Sequence, residues 1–292
     1  PWFNLSAIGV SFTFFPIAVR LSADLRFQYL PDLTASFPMT PRSWIRKLFV
    51  SPSCRKAPQR SRLALVAMED RYCPATFTVV NTAGDASVGS LIWAVSQANA
   101  LNGDDTIVFD SALFSTPKTI SLTGSSVRPD DPYDLTKIIG PGSNLLTVSG
   151  AGTSRVFTIA PGCYAEISGI TMRDGLTNVS QGGGLSNQGF TTLTDCVITA
   201  NGAFYQTRGG GNLWNDQLST LDLINCTISN NIPAGQGYST PIGGGLLNDG
   251  IATLKNCTIN GNITTFGGGG VYNSANAKIT MTDCTVSSNA IY

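Results

Sequence analysis

The sequence predicts an all-β fold, a right-handed parallel β-helix (β-solenoid) with an N-terminal strand plus short helix cap. Three observations carry that prediction. The first is a repeat. Gly182 to Asn187 leads to Cys196-Val197-Ile198 and Asn201, and the pair returns as Gly209 to Asn215 with Cys226-Thr227-Ile228 and Asn231. It recurs as Gly243 to Asn248 with Cys257-Thr258-Ile259 and Asn262, then as Gly268 to Asn273 with Cys284-Thr285-Val286 and Asn289. A period of about 30 residues marks a stacked array, in which each unit buries its apolar side only against its neighbours. The second is a set of short apolar runs upstream, each bounded by Gly, Pro, Asp or Ser and too short for an ordinary helix. The third is composition: 31 glycines, 12% charged residues and no histidine suit a β-rich extracellular solenoid better than a cytosolic helical enzyme. Right-handedness follows from the strong chirality preference of parallel connections.

Along the chain, residues 1–74 stand apart. Residues 1–75 carry ten Lys/Arg against four Asp/Glu, and residues 76–292 carry eight against fourteen, so the neutral total hides a basic leader on an acidic body. The leader is rich in arginine and proline without a sustained period, which predicts disorder. Trp2 to Val19 is uncharged and apolar and suits a membrane segment or a signal core, although it contains Pro16 and has no basic region before it. Met39 opens a better leader, which places residues 1–38 upstream of the true start.

Character changes at Ala75. Thr76-Phe77-Thr78-Val79-Val80 alternates as a strand, Asn81 to Asp85 is turn chemistry, and Ser90 is placed to cap a helix from Leu91 to about Ala100. Such a helix would act as a lid over the first coil, whose apolar cross-section and unpaired edges would otherwise invite aggregation. Runs at 106–109, 119–122, 137–139, 145–148 and 156–159 read as early, irregular coils, so that residues 75–166 form cap and first coils and residues 167–292 the regular repeats.

In the regular part, Ile170-Thr171-Met172 aligns with Cys196-Val197-Ile198 and its three successors. With a side-chain period of two, the first and third positions point inward and the middle one outward. Thr171, Val197, Thr227, Thr258 and Thr285 therefore face water, followed by Arg173, Thr199, Ser229, Asn260 and Ser287. The two asparagine series fall at corners, where asparagine tolerates left-handed backbone and its amide can bond the same amide one coil away. Four of the seven cysteines occupy one repeat position, with no C-x-x-C pair, and read as a file of small buried thiols. The Gly-Gly-Gly runs lack a following Lys-Ser/Thr or helix and read as tight bends rather than phosphate loops. No cofactor or metal is expected, and without a basic aromatic stripe no nucleic-acid partner.

These units resemble the parallel β-helix repeats of bacterial surface and secreted proteins, including polymorphic outer-membrane and autotransporter-like proteins. The resemblance covers residues 75–292. Ala75 to Thr82, Gly89-Ser90-Leu91 and Ala98-Asn99-Ala100 look like the capping segment that precedes such repeats. Arg62 to Arg71, then Pro74-Ala75, resembles the leader junction of large exported planctomycete proteins. The resemblance implies export to the cell surface or medium, and a C-terminal part that continues beyond Tyr292.

On function, the expectation is a structural, adhesive or glycan-binding module whose partners are surface glycans or other cell-surface proteins. Its candidate contacts are Tyr205, Arg208, Trp214 and Tyr238 in the variable loops at 203–216 and 232–242. The alternative is a polysaccharide lyase or glycoside hydrolase of the pectin-lyase-like fold, which needs paired carboxylates or a base with cation support. Asp174, Arg208, Asp216, Asp222, Asp249 and Lys255 read as scattered over different faces, and Asp195 and Asp283 as turn residues, so no catalytic residue is assigned. A minor alternative, an ice-binding solenoid, rests on the outward Thr/Ser file, which Val197, Asn260 and Arg173 interrupt.

Overall fold

A computed structural model of the chain describes residues 73–177, 181–203, 212–232 and 242–292. The leader, the Trp2 to Val19 stretch and Met39 lie outside the described residues. What is described is a parallel β-solenoid of about seven coils. A first sheet of eight strands comprises Thr76–Val79, Asp105–Phe109, Leu135–Ile139, Tyr164–Ser168, Phe190–Thr194, Thr220–Ile224, Ile251–Lys255 and Lys278–Thr282. A second sheet of seven comprises Lys118–Ser121, Leu146–Ser149, Thr171–Arg173, Val197–Thr199, Thr227–Ser229, Thr258–Asn260 and Thr285–Ser287. A third sheet of five comprises Phe157–Ile159, Leu185–Asn187, Leu213–Asn215, Leu246–Asn248 and Val271–Asn273. The last four of these strands follow the triglycine runs, where the sequence predicts only bends; Gly182, Gly243 and Gly268 do have left-handed φ.

Coils superpose because their corners repeat one conformation. The residue before each regular second-sheet unit is left-handed: Gly169, Asp195, Asn225, Asn256 and Asp283 have φ of 62, 54, 56, 53 and 54°. So is the residue after it: Asp174, Ala200, Asn230, Gly261 and Ser288 have φ of 51, 52, 53, 62 and 54°. Left-handed backbone costs an L-residue roughly 1–2 kcal/mol, less for Asn and Asp, so glycine, Asn and Asp dominate both files. The turn role expected for Asp195 and Asp283 is thus observed, and Asn225 Nδ2 donates to Asp195 Oδ1 at 3.1 Å.

Interior positions follow the expected alternation. Ile170, Cys196, Cys226 and Cys257 stack on one another, as do Met172, Ile198, Ile228 and Ile259, all at most 1% exposed. Leu193, Leu223 and Leu254 line the first sheet's inner side, and Leu185, Leu213 and Leu246 the third's. In the last coil the inward series meets solvent, with Val286 52% exposed. At the opposite end lies helix α1 (Leu91–Ala98), whose Ser90 Oγ accepts from the Trp93 amide at 3.1 Å and whose Leu91, Ala94, Val95 and Ala98 enter the core. It covers the first coil as a lid should.

Two buried asparagine ladders bind the coils. Asn187, Asn215, Asn248 and Asn273 pass Nδ2–H to the next Oδ1 at 2.8, 2.8 and 2.7 Å. Asn201, Asn231, Asn262 and Asn289 do so at 3.2, 2.8 and 2.9 Å, and each Oδ1 after the first also accepts the backbone amide of the asparagine one coil earlier. The second Nδ2 hydrogen of Asn231 reaches the Ile198 carbonyl at 3.2 Å. Every polar atom of these amides therefore has a partner although Asn187, Asn215, Asn231, Asn248 and Asn262 are 0% exposed.

The thiols are core fillers that donate to carbonyls: Cys226 Sγ lies 3.4 Å from the Leu193 oxygen and Cys257 Sγ 3.4 Å from the Leu223 oxygen. Among the described residues all six cysteines are free, so the file is not bridged. The Cys196 thiol beside it and burial push Cys226 up to about 12, and burial pushes Cys163 up to about 11.

Two outcomes are expected. Asn231→Ala strands the Asn201 and Ile198 backbone groups and lowers unfolding free energy by about 3 kcal/mol, whereas Asn225→Gly at the exposed corner changes it by less than about 1 kcal/mol; denaturant unfolding followed by circular dichroism compares them. Because the Cys163 and Cys226 thiols are raised in the folded chain, their stabilising share is complete below the unfolded value of about 8.5 and is lost as pH climbs toward 11–12. The unfolding midpoint should hold up to pH 8 and fall above it.

Candidate functional site

The site grows from a difference in corner length between the third and first sheets. After Asn187 two residues, Gln188 and Gly189, suffice to reach the next strand; after Asn215 the turn takes four, Asp216 to Ser219; after Asn248 it takes two, Asp249 and Gly250; after Asn273 it again takes four, Ser274 to Ala277. The long turns close on themselves, with the Ser219 amide donating to the Asp216 oxygen at 3.0 Å and the Ala277 amide to the Ser274 oxygen at 3.0 Å. Asp216, Asp249 and Ser274 start these turns in stacked register, since Asp216 N bonds Asn187 O, Asp249 N bonds Asn215 O and Ser274 N bonds Asn248 O. A short corner between two long ones leaves a notch. It is a cleft of about 410 Å³ lined by Asp216, Gln217, Asp249, Ser274, Ala275 and Asn276.

Gly250 makes the notch possible. A Cβ there would stand 2.3 Å from the Asp216 carbonyl oxygen and 2.5 Å from that of Ser219, so only glycine lets the upper loop settle on the short corner. Trp214, from the outward row of the third sheet, backs the cleft: its Nε1–H donates to Asp249 Oδ2 at 2.9 Å, and the Ser274 hydroxyl donates to Asp249 Oδ1. Both oxygens of Asp249 are thus engaged from within the protein. Asp216, partly buried, lines the same cleft with Gln217 and Asn276. The lining is acceptor-rich and its two ionisable groups are both acidic, which suits a ligand bearing hydroxyl or amine donors.

Of the four residues expected to make contacts, Trp214 is placed next to the cleft, while Tyr205, Arg208 and Tyr238 lie outside the described residues. The expectation that Asp216 and Asp249 sit on different faces is corrected: the equal spacing from the ladder asparagines stacks them at one corner. Asp174 does lie apart, at a second cleft of about 310 Å³ with Gly152, Gly175, Leu176, Asn201 and Ile232, where it pairs with Arg173 Nε at 2.8 Å and accepts from the Ser149 hydroxyl at 3.2 Å. Asp222 and Lys255 stand on the outer face of the first sheet, in adjacent columns.

Sequence reasoning missed two features. The signal for the cleft in the sequence is corner length, two residues after Asn248 against four after Asn215 and Asn273. The other is an exposed stack of Tyr164 on Phe190, ring centroids 4.7 Å apart at 13°, on neighbouring first-sheet strands in register. Among the described residues no group of three or more acidic or cysteine side chains is arranged to hold a metal ion. No protein-family model matches this chain, and no curated protein matches it. The arrangement defines a parallel β-solenoid with a corner cleft.

Gly250→Ala should push the Asp216–Ser219 turn outward, lowering stability by about 1–3 kcal/mol and changing the environment of Trp214; its fluorescence maximum and the unfolding midpoint report both.

Proposed function

We propose that the chain is an exported surface or secreted β-helix module with an adhesive role, and that the corner cleft receives a sugar unit of a surface glycan. The single observation that carries the reading is the cleft itself, a notch lined by Asp216, Asp249, Gln217, Asn276 and Ser274, with the Trp214 indole hydrogen-bonded to Asp249. Carboxylates and amides are the groups that receive sugar hydroxyl donors, and a pocket of a few hundred Å³ is the size of a small ligand. Export is supported by the charge-poor, Gly- and Asn-rich composition and by the resemblance of residues 75–292 to surface repeats.

A second reading, polysaccharide cleavage, gains from one observation: Asp216 and Asp249 share the cleft, and glycoside hydrolysis uses paired carboxylates. Against it, the engagement of both Asp249 oxygens by Trp214 and Ser274 leaves that carboxylate as an orienting acceptor.

A glycan array probed with the full chain separates the two, run beside an assay for released reducing or unsaturated sugars. Binding without turnover is expected, weakened about tenfold or more by Asp216→Asn, a loss of ~1.4 kcal/mol. Turnover that Asp216→Asn abolishes would establish the enzymatic reading instead, and an array without any bound glycan would remove both.

A further inference from the structure

The outward face of the second sheet plays no part in the glycan reading. Register assigns it two columns. Thr119, Thr147, Thr171, Val197, Thr227, Thr258 and Thr285 form one; Ser121, Ser149, Arg173, Thr199, Ser229, Asn260 and Ser287 form the other. The regular repeats alone supply five rows. Strand pairing adds Thr119/Ser121 and Thr147/Ser149, from coils that look irregular in sequence, so eleven of the fourteen positions carry a hydroxyl; Ser149 and Ser229 are buried, and Ser149, Thr171 and Ser229 donate to Asp174, the Ser143 carbonyl and Thr199.

The three exceptions disturb the array little. Val197 has the shape of threonine with a methyl in place of the hydroxyl. Arg173 is drawn to Asp174, which pairs its charge. Asn260, sixth of seven in the second column, leaves its Oδ1 shielded from bulk solvent with no partner, an acceptor that lacks a donor. Successive strands pair without a bulge, and the left-handed corners before and after the regular units repeat to within about 10°.

Spacing decides what such a face can hold. Neighbouring strands lie about 4.8 Å apart, and alternate residues about 6.6 Å apart along a strand. Two oxygens bonded to one tetrahedral water, each at about 2.75 Å, are about 4.5 Å from each other. The mismatch of about 0.3 Å per row accumulates to only about 2 Å over seven rows, under half of one spacing. Centred on the middle row, a crystalline water lattice therefore stays within about 1 Å of the threonine rows at either end of the sheet.

We propose that this face binds ice, its ligand being the surface of crystalline water held by the Thr/Ser rows. The proposal concerns a different face and a different ligand from the glycan cleft. In the test, the full chain is added to polycrystalline ice held just below its melting point, and its incorporation into a slowly grown ice hemisphere is measured. Slowed recrystallisation and enrichment in ice are expected. Thr227→Lys puts an ammonium at the centre of the array and should cut incorporation about tenfold, the effect of ~1.4 kcal/mol, with an unchanged unfolding midpoint. Should that variant fail to fold, Thr119→Lys on an exposed outer row provides the same comparison, with incorporation again reduced. Asp216→Asn, in the glycan cleft, should incorporate like the wild type. Recrystallisation at the rate of buffer alone, or equal incorporation of wild type and a folded lysine variant, overturns the proposal and leaves the glycan reading standing.

Discussion

The pairing of one coil's amide with the next is the constraint on which the rest depends. A parallel strand of three residues has little pairing of its own, and here two such sheets must turn sharply at both ends. The buried asparagines supply what the strands lack. Asn231 alone ties the Ile198 carbonyl, the Asn201 amide and the Asn262 side chain into one network, and the same network recurs at Asn262 and, without a further asparagine, at Asn289. A buried amide without partners would be costly, so the ladder is stabilising only if every coil keeps the same register. Register, corner conformation and core filling are therefore not independent choices.

That shared register explains where variation is tolerated. Inward positions must stack like on like, and corners beside the second sheet must remain left-handed, so neither can change freely. The corner between the third and first sheets is freer. It takes two residues or four provided that it leaves Asn215, Asn248 or Asn273 in line, and the extra residues can only move outward. Alternation of short and long turns is what opens the cleft at Asp249. The same rigidity gives the second sheet its ordered outer rows. A face that repeats at the strand spacing presents whatever side chains it carries as a lattice, here mostly hydroxyls.

Much of the fold was legible, and for a definite reason. A period of about 30 residues constrains each position several times over, so the Ile/Cys and Met/Ile core files, the outward threonines and the asparagine corners could be assigned by comparing one repeat with another. The helical cap was readable from Ser90 and the apolar spacing of Leu91, Val95 and Ala98. Less was legible where repetition fails. Four of the third sheet's five strands were hidden because they are only three residues long and follow glycine runs that look like bends. The Tyr164 and Phe190 stack was hidden because it needs the pairing of two strands that differ in sequence context.

By itself the sequence determined the class of fold, the inside and outside of each regular coil and the identity of the corner residues, because these are local consequences of period, chirality and side-chain shape. Tertiary structure alone decided which polar residues meet. Asp216 and Asp249 are 33 positions apart, and neither belongs to a recognisable motif; they share a cleft only because Asn215 and Asn248 stack and the turns after them differ in length. Likewise Thr119 and Thr147 joined the outer threonine column only through strand pairing. A repeat specifies what each coil does to its neighbours, whereas a site is made by the departures from that repeat, and their positions in space depend on how the coils are stacked.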